Sequence, residues 1–296
     1  MVLVLVFASM AIFVLLRMAP GDPAQALAGA NATPEAVASI RHELALDRPI
    51  YAQYVAWGGH VLHLDLGTSI FSGRSVTSLI GARLPATAEL AVGVTVVMLL
   101  VGIPVGLIGA ALQGGKADTF ITGATSLLIG VPPFWLGLLG IIAFALELHW
   151  LPPGGWVDVF SDPVDGLRSL ALPCVVLGVV QGSVLARFVR SSTLESLSTD
   201  YIRTARSKGA PTLVVILRHA FRNGLIPVVT VLGLLIGNIV GGVMILEIVF
   251  SWPGIGRLLI DSVQSRDYPV IQGVLLLLIF AFVFTLSVKI PAWAPV

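Results

Sequence analysis

Six stretches of the chain run without a single Asp, Glu, Lys, Arg or His: Met1–Leu16, Leu90–Gly115, Thr119–Leu146, Ser169–Ala186, Asn223–Leu246 and Tyr268–Val288. No stretch between them is as long as the shortest of the six. A bilayer core is crossed by about 20 apolar residues in a helix. Inside hydrocarbon every backbone N–H and C=O must be bonded within the protein, which a helix does by itself. The runs therefore predict an all-α integral membrane protein, a six-helix transmembrane bundle occupying 1–296 as one domain. The spans fall at about 1–17, 88–115, 119–146, 169–188, 223–248 and 268–289. A long extracytoplasmic segment (18–87) follows the first span, and a cytoplasmic loop (190–222) precedes the fifth.

Composition agrees and excludes other classes. The chain is 56% hydrophobic and 11% charged, against about 25% charged in soluble domains, so it is not a soluble enzyme. Net charge is +1, which gives no bulk attraction to nucleic acid. The one cysteine, Cys174, rules out an intrachain disulfide or a zinc site built on paired cysteines. The first run is short enough for a signal peptide, with Ala26-Leu27-Ala28 as a cleavage site, but no basic stretch precedes it and it is read as a span.

Charge orients the bundle. With six spans both termini share a side with the loops 114–118 and 187–222. That side carries nine basic residues (Lys116, Arg187, Arg190, Arg203, Arg206, Lys208, Arg218, Arg222, Lys289) against three acidic ones, Asp118, Glu195 and Asp200. Basic residues concentrate in cytoplasmic loops, so both termini are expected in the cytoplasm. Trp150, Trp156 and Trp252 lie near span ends and are expected at the membrane interface.

Several chemistries are missing. Gly114-Gly115-Lys116-Ala117 lacks the spacing and hydroxyl of a nucleotide-binding loop. The five histidines lie outside the runs, and no acidic residue lies deep within one. Ion-coupled pumps and intramembrane proteases need ionisable or nucleophilic groups at depth. No metal ligand set is visible in the spans. The polar groups inside the runs are mild. Thr95, Thr122, Ser183 and Gln272 suit helix–helix hydrogen bonding. Thr125, Ser126, Gln181 and Asn238 do so too, and these four are the candidates for a neutral polar path.

The loop Arg187–Arg222 is the most structured polar stretch. Leu194, Leu197, Tyr201, Ala205 and Lys208 recur at helical spacing and predict one mostly apolar stripe. Asp200 suits a positive helix start, and Gly209 followed by Pro211 is a stop. A second short helix, Thr212–Phe221, leads into the fifth span. Such a helix–stop–helix suits a groove on a partner. It is more ordered than a lipid-binding basic loop requires, and the flanking spans leave no room to dock on a duplex. In the outer regions Thr33–Leu44, Val76–Arg83 (running to Pro85) and Ile255–Val263 read as short helices, the last as a connector or a re-entrant element.

The run Asp200-Tyr201-Ile202-Arg203-Thr204-Ala205-Arg206-Ser207-Lys208-Gly209, with Arg218-His219-Ala220-Phe221-Arg222-Asn223-Gly224-Leu225-Ile226-Pro227, resembles the coupling-helix motif of bacterial ABC importer permeases of the dipeptide/oligopeptide/nickel class. The family's Glu-Ala-Ala core stands here as Arg203-Thr204-Ala205. Pro20-Gly21-Asp22-Pro23, Leu46-Asp47-Arg48-Pro49, Asp65-Leu66-Gly67-Thr68-Ser69, Gly102-Ile103-Pro104-Val105-Gly106, Pro132-Pro133-Phe134-Trp135 and Phe250-Ser251-Trp252-Pro253-Gly254-Ile255-Gly256 follow in the family's order. The long segment after the first span resembles the first of two permease subunits.

The resemblance implies a non-enzymatic transport subunit forming half of a pathway for di- or oligopeptides, surrounded by membrane lipid. It implies a second homologous permease, two ATP-binding subunits and an extracytoplasmic substrate-binding protein as partners. ATP and Mg would sit on the partner ATPases, with no cofactor on this chain. It assigns ATPase docking to Asp200, Tyr201, Arg203, Thr204, Ala205, Arg206 and Gly209. A nickel or glutathione importer of the same family is the nearest alternative. A stand-alone channel or a membrane scaffold are the alternatives of other classes.

Overall fold

A computed structural model of the chain describes residues 2–18, 24–25, 32–43 and 47–287. The Pro20–Pro23 motif, Ala26–Ala28 and the tail Lys289–Val296 lie outside the described residues. Among the described residues the structure is helical, with one isolated bridge between Thr68 and Ser75. They form two compact units, one from the ranges 1–85 and 254–284, the other chiefly from 86–253.

The first unit holds α1 (Val2–Met18), α2 (Pro34–Glu43), α3 (Ile50–Leu62), the start of α4 (Val76–Ala111), α10 (Ile255–Ser265) and α11 (Tyr268–Ser287). In α2, Pro34 occupies the first turn, where its missing N–H costs nothing, and the Ala36 N–H points at Thr33 Oγ1. The helix expected there is present. Phe13 of α1 is buried against α3, 5.5 Å from the Tyr54 ring and 5.6 Å from Trp57. Val76 and Ile80 pack with Ile255, Leu258, Val270 and Val274. A Cβ at Gly273 would lie 2.6 Å from Val76 Cγ1, so only glycine permits that approach. Asp267, just before α11, accepts hydrogen bonds from Ser69 Oγ at 2.5 Å and from the Ile70 N–H at 3.2 Å. This ties the polar segment before α4 to the start of the last apolar helix.

The second unit holds the rest of α4, α5 (Lys116–Gly130), α6 (Pro133–Glu147), α7 (Pro163–Leu197), α8 (Asp200–Ser207) and α9 (Thr212–Val249). The helix α7 is its axle. Asp162 caps it by accepting from the Val164 and Asp165 N–H groups, and Pro163 sits in its first turn. Glycines let α4 lie against it: a Cβ at Gly102 would meet Leu185 Cβ at 2.8 Å, and one at Gly106 the Ala186 carbonyl at 2.6 Å. On its other side Leu177 packs with Ile239, Val243 and Leu246 of α9 in one core.

The structure departs from the sequence reading at defined points. Four described helices are long and apolar enough to cross a bilayer, and a fifth if α5 and α6 count as one broken span; α1 is apolar but shorter. The stretch read as one span over Thr119–Leu146 is two helices bent by 97°. Pro132 and Pro133 remove two successive N–H donors there, so the ladder cannot continue. The helix expected to stop at Pro85 instead continues to Ala111. The helix of the fourth span runs on to Leu197, so the loop is shorter than Arg187–Arg222, because Val189, Ser192 and Thr193 are buried and extend the core face. Trp252 is no interfacial ring: it is fully buried and donates its indole N–H to the Ala86 carbonyl at 2.8 Å. Glu247 lies inside α9, fully buried, and accepts from Thr87 Oγ1 at 2.6 Å.

Candidate functional site

The helix α8 has eight residues, too few to be stable alone in water. Its order comes from its anchors. The Ser198 and Thr199 hydroxyls turn back onto the Glu195 and Ser196 carbonyls at 2.7 and 2.6 Å and close α7. Thr199 is extended, and α8 starts at Asp200. The Asp200 carboxylate complements the positive helix end and lies 3.3 Å from Arg203 Nη1, both groups fully in solvent, where such a pair contributes little. Ile202 is the buried residue of α8 and sits in a small core with Val215 and Ala220, flanked by Leu197 and Ala210. Asn223 Nδ2 donates to the Tyr201 hydroxyl at 2.8 Å. Gly209 stops the helix with φ +79°, a conformation costly for any residue with a Cβ. Its N–H donates to the Arg206 carbonyl at 2.9 Å, and Pro211 starts the next turn.

The expected stripe Leu194, Leu197, Tyr201, Ala205 and Lys208 does not form one face. The chain breaks between α7 and α8, so the helical phase restarts, and Ile202 becomes the anchor while Tyr201 and Lys208 are exposed. Arg203, Thr204, Arg206, Ser207 and Gly209 are also exposed, and Ala205 is half-buried. A short peg thus presents three cations, Arg203, Arg206 and Lys208, on a base that is tied down.

The base is held from two further helices. Ser192 Oγ donates to the Gly224 carbonyl at 2.7 Å, and a Cβ at Gly224 would lie 2.8 Å from Ser192 Oγ. On the opposite side Arg190 forks onto Asp118 of α5, with Nε 2.9 Å from Oδ1 and Nη2 2.8 Å from Oδ2. Oδ2 also accepts the Gly114 N–H at 3.0 Å. Bidentate pairs of this kind fix geometry as well as charge. Arg190 and Ser192 thus tie the end of α7 to α5 and to α9. The sequence marks Gly209 and Pro211 openly, but Ile202, Asn223 and the Asp118–Arg190 pair carry no local signal and emerge only with the packing.

The four path candidates are not equivalent. Thr125 is buried, with its hydroxyl donating to the Ile121 and Thr122 carbonyls at 2.8 and 3.1 Å. Ser126 and Asn238 are exposed, and Gln181 is half-buried. A cavity of about 570 Å³ runs between α4, α5 and α7, lined by Thr122, Thr125, Ile129, Arg187, Phe188 and Arg190 among others.

A family model described as "Binding-protein-dependent transport system inner membrane component" matches residues 102–291, and its N-terminal companion matches residues 1–91. The chain is 42% identical over 271 residues to a protein of Brucella abortus strain 2308 named as a peptide transport system permease, covering 92% of this chain and 86% of that one. It is 38% identical over 304 residues to an Escherichia coli K12 protein named as a D,D-dipeptide transport system permease, covering 95% and 89%. It is 40% identical over 281 residues to the glutathione transport system permease of Salmonella paratyphi A, covering 94% and 89%. The chain belongs to the family of binding-protein-dependent transport system inner membrane components and is a membrane permease subunit of an ABC transporter.

Proposed function

We propose that this permease forms half of an import pathway for di- or oligopeptides and docks an ATPase subunit at α8. The single observation that carries the docking reading is the anchoring of α8. Its one buried side chain, Ile202, and the Asn223–Tyr201 hydrogen bond hold it to α9, while Arg203, Arg206 and Lys208 face solvent. A solvated loop needs no such base; a lever does.

In this reading α1, α4, the broken pair α5–α6, α7, α9 and α11 make six crossings, and both termini and α8 lie on the cytoplasmic side of the membrane. A second homologous permease completes the pathway. Two ATPases hold ATP and Mg, and closure of the nucleotide-bound pair pushes α8. Because the peg, Arg190–Asp118 and Ser192–Gly224 are linked, the push reorients the bundle as a rigid-body movement. An extracytoplasmic binding protein delivers the solute. The substrate reading rests on the names of the relatives, which cover peptides, D,D-dipeptides and glutathione; all three are peptide-like solutes.

The test is charge reversal on the exposed face of α8. Arg203→Glu together with Arg206→Glu leaves the Ile202 anchor intact. The variant is expected to insert normally and to lose peptide-stimulated ATP hydrolysis and uptake. Full retention of uptake would remove α8 as the docking element. A reporter fused to the C-terminus that reads out externally would invert the orientation.

A further inference from the structure

The bend between α5 and α6 leaves backbone groups that a membrane helix ordinarily satisfies. The carbonyls of Leu128 and Ile129 would each take an N–H from four residues ahead, but those residues are Pro132 and Pro133, which have none. The Leu127 carbonyl would take the Val131 N–H, but Val131 is extended (φ −91°, ψ 128°) and makes no cap bond. Among the described residues no hydrogen bond from beyond α5 reaches these three carbonyls. The 97° bend turns α6 aside, so the following helix does not cover them. Pro132 O is used separately, by the Trp135 and Leu136 N–H groups at 3.0 and 3.2 Å.

The approach to this break is open and polar for a membrane helix. Thr119, Gly123, Ser126 and Gly130 lie four, three and four residues apart along one face of α5, all exposed. A Cβ built on Gly123 or Gly130 meets nothing within 4 Å. The neighbouring face, with Thr122, Thr125 and Ile129, borders the cavity described above. Unsatisfied backbone at membrane depth is tolerated only where protein buries it or where it lines a water-filled space. Leu127 (70% exposed) and Gly130 are open and Leu128 and Ile129 are half-buried, so this chain by itself does not cover the break.

We infer that the Gly130–Pro133 break is a contact point for the transported solute, where the carbonyls of Leu127, Leu128 and Ile129 accept hydrogen bonds from the backbone N–H groups or terminal ammonium of a peptide. This rests on the peptide reading above and gives it a site. Acceptors of the backbone kind match every peptide whatever its side chains, so the contact orients the solute without selecting sequence. A second permease packed on the same face would need donors at this point to do equally well.

The test uses the assembled transporter in membrane vesicles. The chain's one cysteine, Cys174, is buried and is replaced by Ala, and single cysteines are placed as Gly123→Cys, Gly130→Cys and Val131→Cys. A charged, membrane-impermeant thiol reagent is applied with and without a casein hydrolysate of di- to hexapeptides. The expected result is modification at 130 and 131 that slows at least tenfold with the peptides. Absence of modification at both, or modification that peptides leave unchanged, overturns the inference. As a second arm, Pro132→Ala with Pro133→Ala returns two donors. Uptake is expected to fall at least tenfold while insertion persists, and unchanged uptake also overturns it. Should the unmutated transporter take up no peptide from the hydrolysate, the substrate reading fails at that step, independently of how the cysteines react.

Discussion

Replacing Ile202 by Ala separates a tethered lever from a loose loop. The Ile202 side chain is fully buried and is the one buried residue of α8. Removing a buried Ile down to Ala costs about 2–5 kcal/mol. The helix has eight residues and no intrinsic stability to fall back on. The loss therefore appears as local undocking of the peg rather than global unfolding. At about 1.4 kcal/mol per factor of ten, the lower bound corresponds to roughly a 30-fold rise in the undocked population. Amide hydrogen exchange read by mass spectrometry reports this directly. The amides of residues 200–209 should lose protection by that factor or more, while those of 239–246 in α9, which include the buried Ile239, Val243 and Leu246, stay unchanged. Peptide-stimulated ATP hydrolysis should fall with the protection. Unchanged protection at 200–209 would show that the small core around Ile202 does not hold the helix, and the mechanical argument would fail with it.

Other perturbations follow from the same packing. Gly106→Leu forces a side chain against the Ala186 carbonyl and Val189, both under 3 Å from the new Cβ; overpacking of this kind costs about 1–3 kcal/mol and should lower the melting temperature in detergent. Arg190→Lys keeps the charge but not the fork on Asp118. It should forfeit a charge-assisted hydrogen bond of about 1.5–3 kcal/mol, seen as weaker coupling of uptake to ATP hydrolysis with the combined Asp118→Asn change adding little. Asp267→Asn removes the carboxylate that holds Ser69 and Ile70, and limited proteolysis should then cut within 66–75 faster than in the parent chain.

Much of the architecture could be read from the chain because hydrocarbon leaves few options. Runs without charge mark helices: those over 163–197 and 212–249 contain the runs read as the fourth and fifth spans, and the one over 268–287 follows the sixth as far as the described residues go. Gly209 and Pro211 announced the end of α8, since one needs φ above zero and the other cannot continue a helix. The sequence was less explicit where two rules compete. Pro85 reads as a stop, yet the helix continues through it to Ala111. Pro132-Pro133 breaks a run of good span length, and a count of apolar residues cannot register that break. Glu247 ends an apolar run and looks like its boundary, but it is buried with Thr87. The anchors of α8 were the least visible. Ile202 and Val215, or Tyr201 and Asn223, are brought together only by the turn at Gly209, and no periodicity within one helix reveals a partner on the next.

On the proposed reading, α8 is where an ATPase does work on this permease. A cysteine placed as Thr204→Cys, exposed on α8, in a Cys174→Ala background, should cross-link in intact membranes to a nucleotide-hydrolysing subunit, with a yield that changes when ATP is added. A cysteine at this position that captures only lipid-exposed neighbours or nothing, while uptake remains active, would contradict the claim.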